Sequence, residues 1–272
     1  MTSPDDYRFL ADLLKRNSGL HLGEGKEYLL ESRLLPIAEQ FGLKDVADLV
    51  RAIREGATPQ LALATVEAMT TQETLFFRDM TPFKALKENL LPEALPRRRA
   101  LHQKVRIWSA ACSTGQEPYS IAMLLAEASD RSHHVLATDI DGIALAHARA
   151  AGPYTEKEIK NVSRLRREEQ LRQDEEGRWW VTDQIRSMVT FQQHDLLQDP
   201  MPAGFDLIAC RNVLIYFTPE ARARLFARFA ETLRIGGVLF VGATEAVSVT
   251  QVIGLRPISF GFYVREDERS HR

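Results

Sequence analysis

Through residues 1–93 the apolar positions recur at helical spacing. Tyr7, Leu10, Leu13 and Leu14 share one face. Ahead of them Ser3 can cap, Pro4 suits the first helical position, and Asp5 and Asp6 complement the positive end of the helix. Gly19 and Gly23-Glu24-Gly25 punctuate the pattern. Further helices are predicted over 26–41, ending at Gly42, and over 45–54 and 59–69. The stretch MTTQETLFFRD (69–79) follows, then a helix over 81–91. A proline-bounded link carrying Arg97, Arg98 and Arg99 reads as a solvated connector. The pattern places an all-helical N-terminal domain at 1–93 and a linker at 94–104.

From residue 105 the period changes. Short apolar runs at 105–109, 134–138, 188–194, 205–210 and 238–242 alternate with helical patterns at 117–128, 141–150 and 219–234, the last ended by Gly236-Gly237. A last strand is predicted over 260–265. Alternation of this kind predicts an α/β domain over 105–272 with a mostly parallel, doubly wound sheet. Residues 152–187 interrupt it. They are highly charged, and Glu175-Glu176-Gly177 reads as a turn between 171–173 and 179–182. We read an inserted helix plus a small antiparallel β-subdomain, with Trp179-Trp180 as packing residues or a partner surface.

Composition narrows the class. The 272 residues are 44% apolar, enough for a real core, and the net charge of −2 gives no general polycationic surface for nucleic acid. The start, MTSPDDYRFL, lacks a basic region followed by an apolar one, and no apolar run approaches the ~20 residues that span a bilayer. Cys112 and Cys210 are too few for a disulfide framework or a zinc cluster. The expectation is a cytoplasmic protein with two reduced, buried thiols and no metal.

Candidate chemistry gathers where predicted strands end. RIWSAACSTGQEPYS (106–120) reads strand, tight turn, helix, the arrangement that binds nucleotides in Rossmann-like folds. Yet the turn has one glycine, Gly115, where a dinucleotide site wants three; Gly115 is expected to give the sharp bend and the close approach of a ligand tail. About 24 residues on, at the end of the second strand (VLATDID), Asp139 stands where an acidic residue accepts bonds from ribose hydroxyls, and Asp141 can cap the following helix. A ribosyl ligand without phosphates fits this mixture. S-adenosylmethionine has a ribose, an amino-acid tail and a cationic sulfonium, which acidic and aromatic groups suit. Glu117 can take its ammonium group or simply complement the helix dipole. In FDLIACRNVLIYF (205–217), Arg211 and Asn212 follow a strand at the point where active-site residues collect in open α/β sheets, with Tyr216 close behind. No Ser-His-Asp or Cys-His set is legible.

Several motifs in order carry a resemblance: TTQETLFFRD (70–79), WSAACSTGQEPYSIA (108–122), ATDID (137–141), CRNVLIYF (210–217) and GGVLFVGATE (236–245). Over nearly its whole length the chain resembles the CheR-type chemotaxis receptor methyltransferases, cytosolic enzymes that use S-adenosylmethionine to esterify glutamates of chemoreceptors. The resemblance implies a class I methyltransferase sheet, S-adenosylhomocysteine as product, and a receptor's cytoplasmic helical bundle as protein substrate. By position, Gln72, Thr74 and Arg78 would contact the cofactor or incoming carboxylate; family members often carry Asn at the position of Gln72. Glu117 and Asp139 match the tail and ribose positions, Asp195 and Leu196 the adenine stretch, and Arg211 and Asn212 the strand-four cofactor positions. The acceptor carboxylate is ionised near neutrality, so no general base is needed and positioning carries the catalysis. Arg78 is expected to orient the acceptor, with Tyr216 assisting.

Lys26, Arg33 and Lys44 are candidates for receptor contact. The turn DEEGRWW is short beside those of members that dock a receptor's C-terminal peptide on this insertion as an added strand, so independence from such a tether is expected. So are a monomer, no membrane insertion and no nucleic-acid partner. The competing readings are a non-catalytic signalling adaptor that binds S-adenosylmethionine, and a methyltransferase acting on RNA or a small molecule.

Overall fold

The computed structural model describes residues 3–18, 27–56, 59–69, 74–92, 94, 100, 103–128, 133–246, 254–259 and 261–267. The chain divides into two compact units, one of residues 1–71 with 214–222, the other of residues 72–213 with 223–272.

The helical unit holds α1 (Pro4–Ser18), α2 (Glu27–Gln40), α3 (Val46–Arg54) and α4 (Pro59–Met69). The start of α1 is the one Ser3 predicts, and α3 is capped in the same way. The Ser3 hydroxyl accepts the Asp6 amide at 3.1 Å, and the Asp45 carboxylate accepts the Asp48 amide at 2.9 Å. Leu10, Leu14, Leu30, Leu34, Leu49 and Val66 form the buried faces. Of the three proposed receptor contacts, Lys44 is exposed and Lys26 lies outside the described residues. Arg33 is half-buried and donates to the Met69 carbonyl at 3.0 Å, a link between α2 and the end of α4.

The second unit is built on a seven-stranded sheet in the order β5-β2-β1-β6-β7-β9-β8. Here β1 is Arg106–Ala110, β2 His134–Asp139, β5 Val189–Gln193, β6 Phe205–Cys210 and β7 Leu233–Val241; β8 (Leu255–Ser259) and β9 (Phe262–Arg265) close the edge. Strands β5, β2, β1, β6 and β7 are parallel, and β9 runs antiparallel to β7. The chain passes outward from β1 through β2 to β5, then returns to place β6 on the other side of β1. This reversal places a topological switch point at the carboxyl ends of β1 and β6, where open α/β sheets bind ligands.

Five further helices and a short one accompany the sheet: α5 (Thr81–Ala85, prolonged by one wide turn over 86–90), α6 (Gln116–Glu127), α7 (Gly142–Ala150), α8 (Arg164–Gln170), α9 (Asp183–Arg186) and α10 (Pro219–Thr232). The core is aromatic at its centre. Trp108 on β1 lies 5.7 Å, ring to ring, from Phe205, Phe229 and His194.

Three local differences from the sequence expectation have physical causes. Residues 72–92, expected within the helical domain, group with the sheet unit, because Phe76, Phe77, Phe83, Leu86 and Leu91 share one buried cluster with Val105, Ile107 and Phe240. The helix expected to reach 234 stops at Thr232, and β7 begins at once with a bulge between its pairings Phe205↔Leu233 and Leu207↔Val238. A Cβ on Gly237 would stand 2.8 Å from the Arg234 carbonyl oxygen, so the Gly-Gly pair serves this fold-back rather than a helix end. Strand β8 was not expected: four of its five residues are exposed and Pro257 sits in it, features of an edge that carries no core pattern.

The insertion folds as a two-stranded antiparallel pair, β3 (Leu171–Gln173) and β4 (Trp179–Val181). Its turn is held by Asp174, whose carboxylate accepts the amides of Glu176 and Arg178 at 3.1 and 2.9 Å. The two indoles are used internally: Trp179 donates to Glu156 at 3.0 Å and Trp180 to Asp174 at 3.1 Å. Trp180 also packs where Gly152 has no side chain, since a Cβ there would meet its ring at 2.9 Å.

Candidate active site

Polar side chains at the ends of β1, β2 and β6 build one site. After β1 the chain turns through Ala111, Ser113 and Gly115, all at positive φ (59°, 51° and 98°), before α6 starts. The turn is tied to β2: the Cys112 amide donates to the Thr138 carbonyl at 2.9 Å, and the Ser113 amide to the Asp139 carboxylate at 2.7 Å. Gly115 meets the expectation of a sharp bend. The close approach it permits, however, is by protein: a Cβ would stand 3.0 Å from the Ala148 Cβ on α7 and 3.2 Å from the Tyr119 ring.

Asp139 is buried, and its second oxygen accepts the Asp141 amide at 3.0 Å. Burial pushes its carboxyl up to about 6 against the lowering effect of these amide bonds, and the Asp141 carboxylate adds to the rise. Asp141 itself caps α7, accepting the amides of Ile143 and Ala144 at 2.8 and 3.0 Å.

Glu117 stands in the first turn of α6. One carboxylate oxygen accepts the Ser109 hydroxyl at 2.9 Å and the other faces Arg211 at 3.3 Å. Burial raises its pKa; Arg211 and Ser109 oppose the rise, and the Glu245 carboxylate adds to it. Arg211 leaves the end of β6 with its side chain only 2% exposed. It donates to the Asp79 carboxylate at 2.8 Å and to the Arg78 carbonyl at 3.1 Å, and lies over the Phe83 and Phe240 rings at 5.3 and 4.6 Å. Its Nε is buried without a hydrogen-bond partner. One guanidinium thus joins β6, α6 and segment 76–79. That segment is further held by the Phe77 amide on the Ser120 hydroxyl at 2.9 Å and the Phe76 amide on the Glu158 carbonyl at 3.1 Å.

Asn212 has a φ of 60°, in the left-handed region. Its amide donates to Glu245 at 2.9 Å, and the Gly242 amide reaches the same oxygen at 2.8 Å. Glu245 is fully buried and ties the ends of β6 and β7 together. Sequence reasoning quoted it within GGVLFVGATE but assigned it nothing; the signal was an acidic residue closing an apolar strand.

The other expected residues are distributed around this cluster. Asp195 stabilises a turn, accepting the amides of Leu197 and Gln198 at 2.7 and 3.2 Å; Leu196 is buried in it, and the His194 amide ties the turn to the Asp139 carbonyl at 2.9 Å. Arg78 and Thr74 are half-buried, and Gln72 lies outside the described residues. Tyr216 sits on a single 3-10 turn, Leu214–Tyr216, which groups with the helical unit. Both cysteines are free and buried, and burial pushes both thiols up. Among the described residues no group of His, Cys, Asp and Glu is placed to hold a metal ion, and no helix is long and apolar enough to cross a membrane.

Comparison with known proteins agrees over most of the chain. Residues 72–259 match the CheR methyltransferase SAM-binding domain, and residues 5–70 match the CheR methyltransferase all-alpha domain. A chemotaxis protein methyltransferase of Vibrio parahaemolyticus is 39% identical over 254 residues, 90% of each chain. The chemotaxis protein methyltransferase Cher2 of Pseudomonas putida is 40% identical over 253 residues, 89% of this chain and 90% of its own. One from Listeria monocytogenes is 33% identical over 261 residues, 96% of this chain and 97% of its own. With its all-helical N-terminal domain, its methyltransferase sheet and its S-adenosylmethionine-binding domain, the chain belongs to the CheR methyltransferase family.

Proposed function

We propose that this protein transfers the methyl group of S-adenosylmethionine to glutamate side chains on the cytoplasmic helical bundle of chemoreceptors, forming glutamyl methyl esters. The observation that carries the reading is the joining of Glu117, Arg211 and segment 76–79 beside Asp139, in the crevice at β1 and β6. The donor set suits the cofactor. Asp139 is a buried carboxylate and Glu117 a largely buried one, which favour a cation and hydroxyl donors, and the buried Arg211 Nε retains an unused proton.

Within this reading Asp139 accepts the ribose hydroxyls and Glu117 faces the ammonium group, with Gly115 supplying the bend between them. Asp195 and Leu196 border the adenine. Arg211 opposes the rise that burial causes in the Glu117 pKa and fixes segment 76–79, where Thr74 and Arg78, with Gln72 before them, line the entry of the acceptor. Asn212 borders the cofactor from β6. Bound there, S-adenosylmethionine supplies a methyl group on a cationic sulfur and leaves as neutral S-adenosylhomocysteine. The acceptor glutamate, with an ordinary pKa of ~4.3, is already a nucleophile at neutral pH. The chain's own task is therefore to orient it, by Arg78 with Tyr216 assisting, and to exclude water.

The protein acts as a cytoplasmic monomer, without membrane insertion, nucleic acid or metal. The short turn 174–178 supports methylation that needs no receptor C-terminal tether. Incubation with tritiated S-adenosylmethionine and receptor cytoplasmic fragments tests the reading. Base-labile label on glutamate, equal for fragments with and without their C-terminal tails, is expected. Base-stable label, label on RNA, or no label rejects it.

A further inference from the structure

The insertion reaches back to the crevice through one buried side chain. Tyr154 pairs by backbone with Trp179 of β4 in both directions, at 2.7 and 2.8 Å. Its hydroxyl donates to the Thr114 carbonyl at 2.8 Å, inside the turn between β1 and α6. Its ring stands edge-on to Phe76 at 4.9 Å, in the segment that Arg211 also holds. A second tie runs in parallel: Gln116 donates to Glu158 at 2.9 Å, and the Thr114 hydroxyl donates to Gln116 at 2.9 Å.

These ties meet a turn that needs them. Ala111 and Ser113 hold left-handed φ values without being glycine, a conformation costing on the order of 1 kcal/mol each that persists only where the surroundings over-determine it. Beyond the amide bonds to Thr138 and Asp139 and a Gly115 amide bond to the Cys112 carbonyl, the Tyr154 hydroxyl and the Gln116–Glu158 pair restrain this turn from the insertion side. Resting on the function proposed above, we propose that Tyr154 is a positioning residue for the cofactor. Through the Thr114 carbonyl it fixes the turn 111–115, so the insertion contributes to cofactor affinity whether or not it docks a partner.

Tyr154→Phe removes the hydroxyl and keeps the ring. Tyr119→Phe is the matched comparison, because its hydroxyl is an equally buried donor to a backbone carbonyl, Ala148, on α7 at 2.7 Å. Calorimetry with S-adenosylhomocysteine and steady-state methylation of a receptor fragment read the two variants beside thermal unfolding. For Tyr154→Phe the Kd and the KM for S-adenosylmethionine should rise roughly three- to tenfold. Its kcat at saturating cofactor and its KM for the receptor fragment should stay within about twofold. Tyr119→Phe should lose similar thermal stability with an unchanged Kd. If Tyr154→Phe does not accumulate, Glu158→Gln, which weakens the parallel tie, carries the same expectation. A Kd unchanged in Tyr154→Phe, or moved equally in Tyr119→Phe, overturns the assignment. Wild-type protein that binds no S-adenosylhomocysteine rejects the proposed function itself, and this inference with it.

Discussion

Replacing Asp139 by asparagine separates what this residue costs the fold from what it contributes to the site. The carboxyl titrates near 4 in an unfolded chain and is pushed up to about 6 in the folded protein, chiefly by burial. A raised carboxylate binds its proton more tightly when folded. Its favourable contribution is therefore complete below pH 4 and is lost as pH rises through 6. A shift of about two units corresponds to about 3 kcal/mol, the penalty the wild type carries at pH 7. Asparagine is neutral throughout. It forfeits one of the two amide bonds to Asp139, a loss of about 1 kcal/mol that does not depend on pH. Urea unfolding of both proteins from pH 4 to 7 gives the difference directly. The stability of the wild type minus that of Asp139→Asn should fall by about 3 kcal/mol across that range, ending with the variant the more stable. S-adenosylhomocysteine binding should weaken in the variant, which loses an acceptor oxygen. A stability difference that is flat with pH would show that the carboxylate ionises as if in water, and would refute the account of its burial.

Arg211→Met should destabilise by about 3–5 kcal/mol in urea, because Glu117 is left buried and unpaired; Asp79 is half-exposed and adds little. A loss under about 1 kcal/mol would refute the pairing. Arg78→Ala should lower kcat by on the order of 100-fold while leaving the main-chain bond to Arg211 available. Near-normal turnover would remove it from the active site. Gly115→Ala should destabilise by about 1–3 kcal/mol, from a φ of 98° and a Cβ only 3.0 Å from that of Ala148, and unchanged thermal unfolding would contradict that packing.

The central parallel strands were legible because their inner stretches, Ile107–Ala110 of β1, Leu207–Cys210 of β6 and Val238–Val241 of β7, are buried and read as largely apolar runs; Phe205–Cys210 was placed to the residue. Asp139, Glu117 and Arg211 stood out for the complementary reason, being ionisable residues where such runs end. Their partners were not legible. Asp79 lies 132 positions from Arg211 and Glu245 lies 33 from Asn212, and no local pattern announces a bond across that separation. Gly115 was half legible: a bend was readable, but the neighbour filling the space beside it belongs to a helix about thirty residues away. The bulge opening β7 was lost because Gly-Gly after a helix satisfies a helix stop as well as a fold-back.

The charges of the site explain why it takes the form it does. Asp139 and Glu245 are buried, Glu117 is largely so, and Arg211 is the cation paired with Glu117. Each carboxylate is kept tolerable differently: Glu117 by a guanidinium and a hydroxyl, Asp139 by two amides at the cost of a raised pKa, Glu245 by the amides of Gly242 and Asn212. A dinucleotide would bring more negative charge to this site, and the turn already gives its Cys112, Ser113 and Gly115 amides to protein acceptors. A ligand bringing a sulfonium, an ammonium group and two hydroxyl donors relieves the same imbalance. The lone glycine of RIWSAACSTGQEPYS and the excess of buried carboxylate around it therefore express one selection, for a cationic nucleoside over an anionic one.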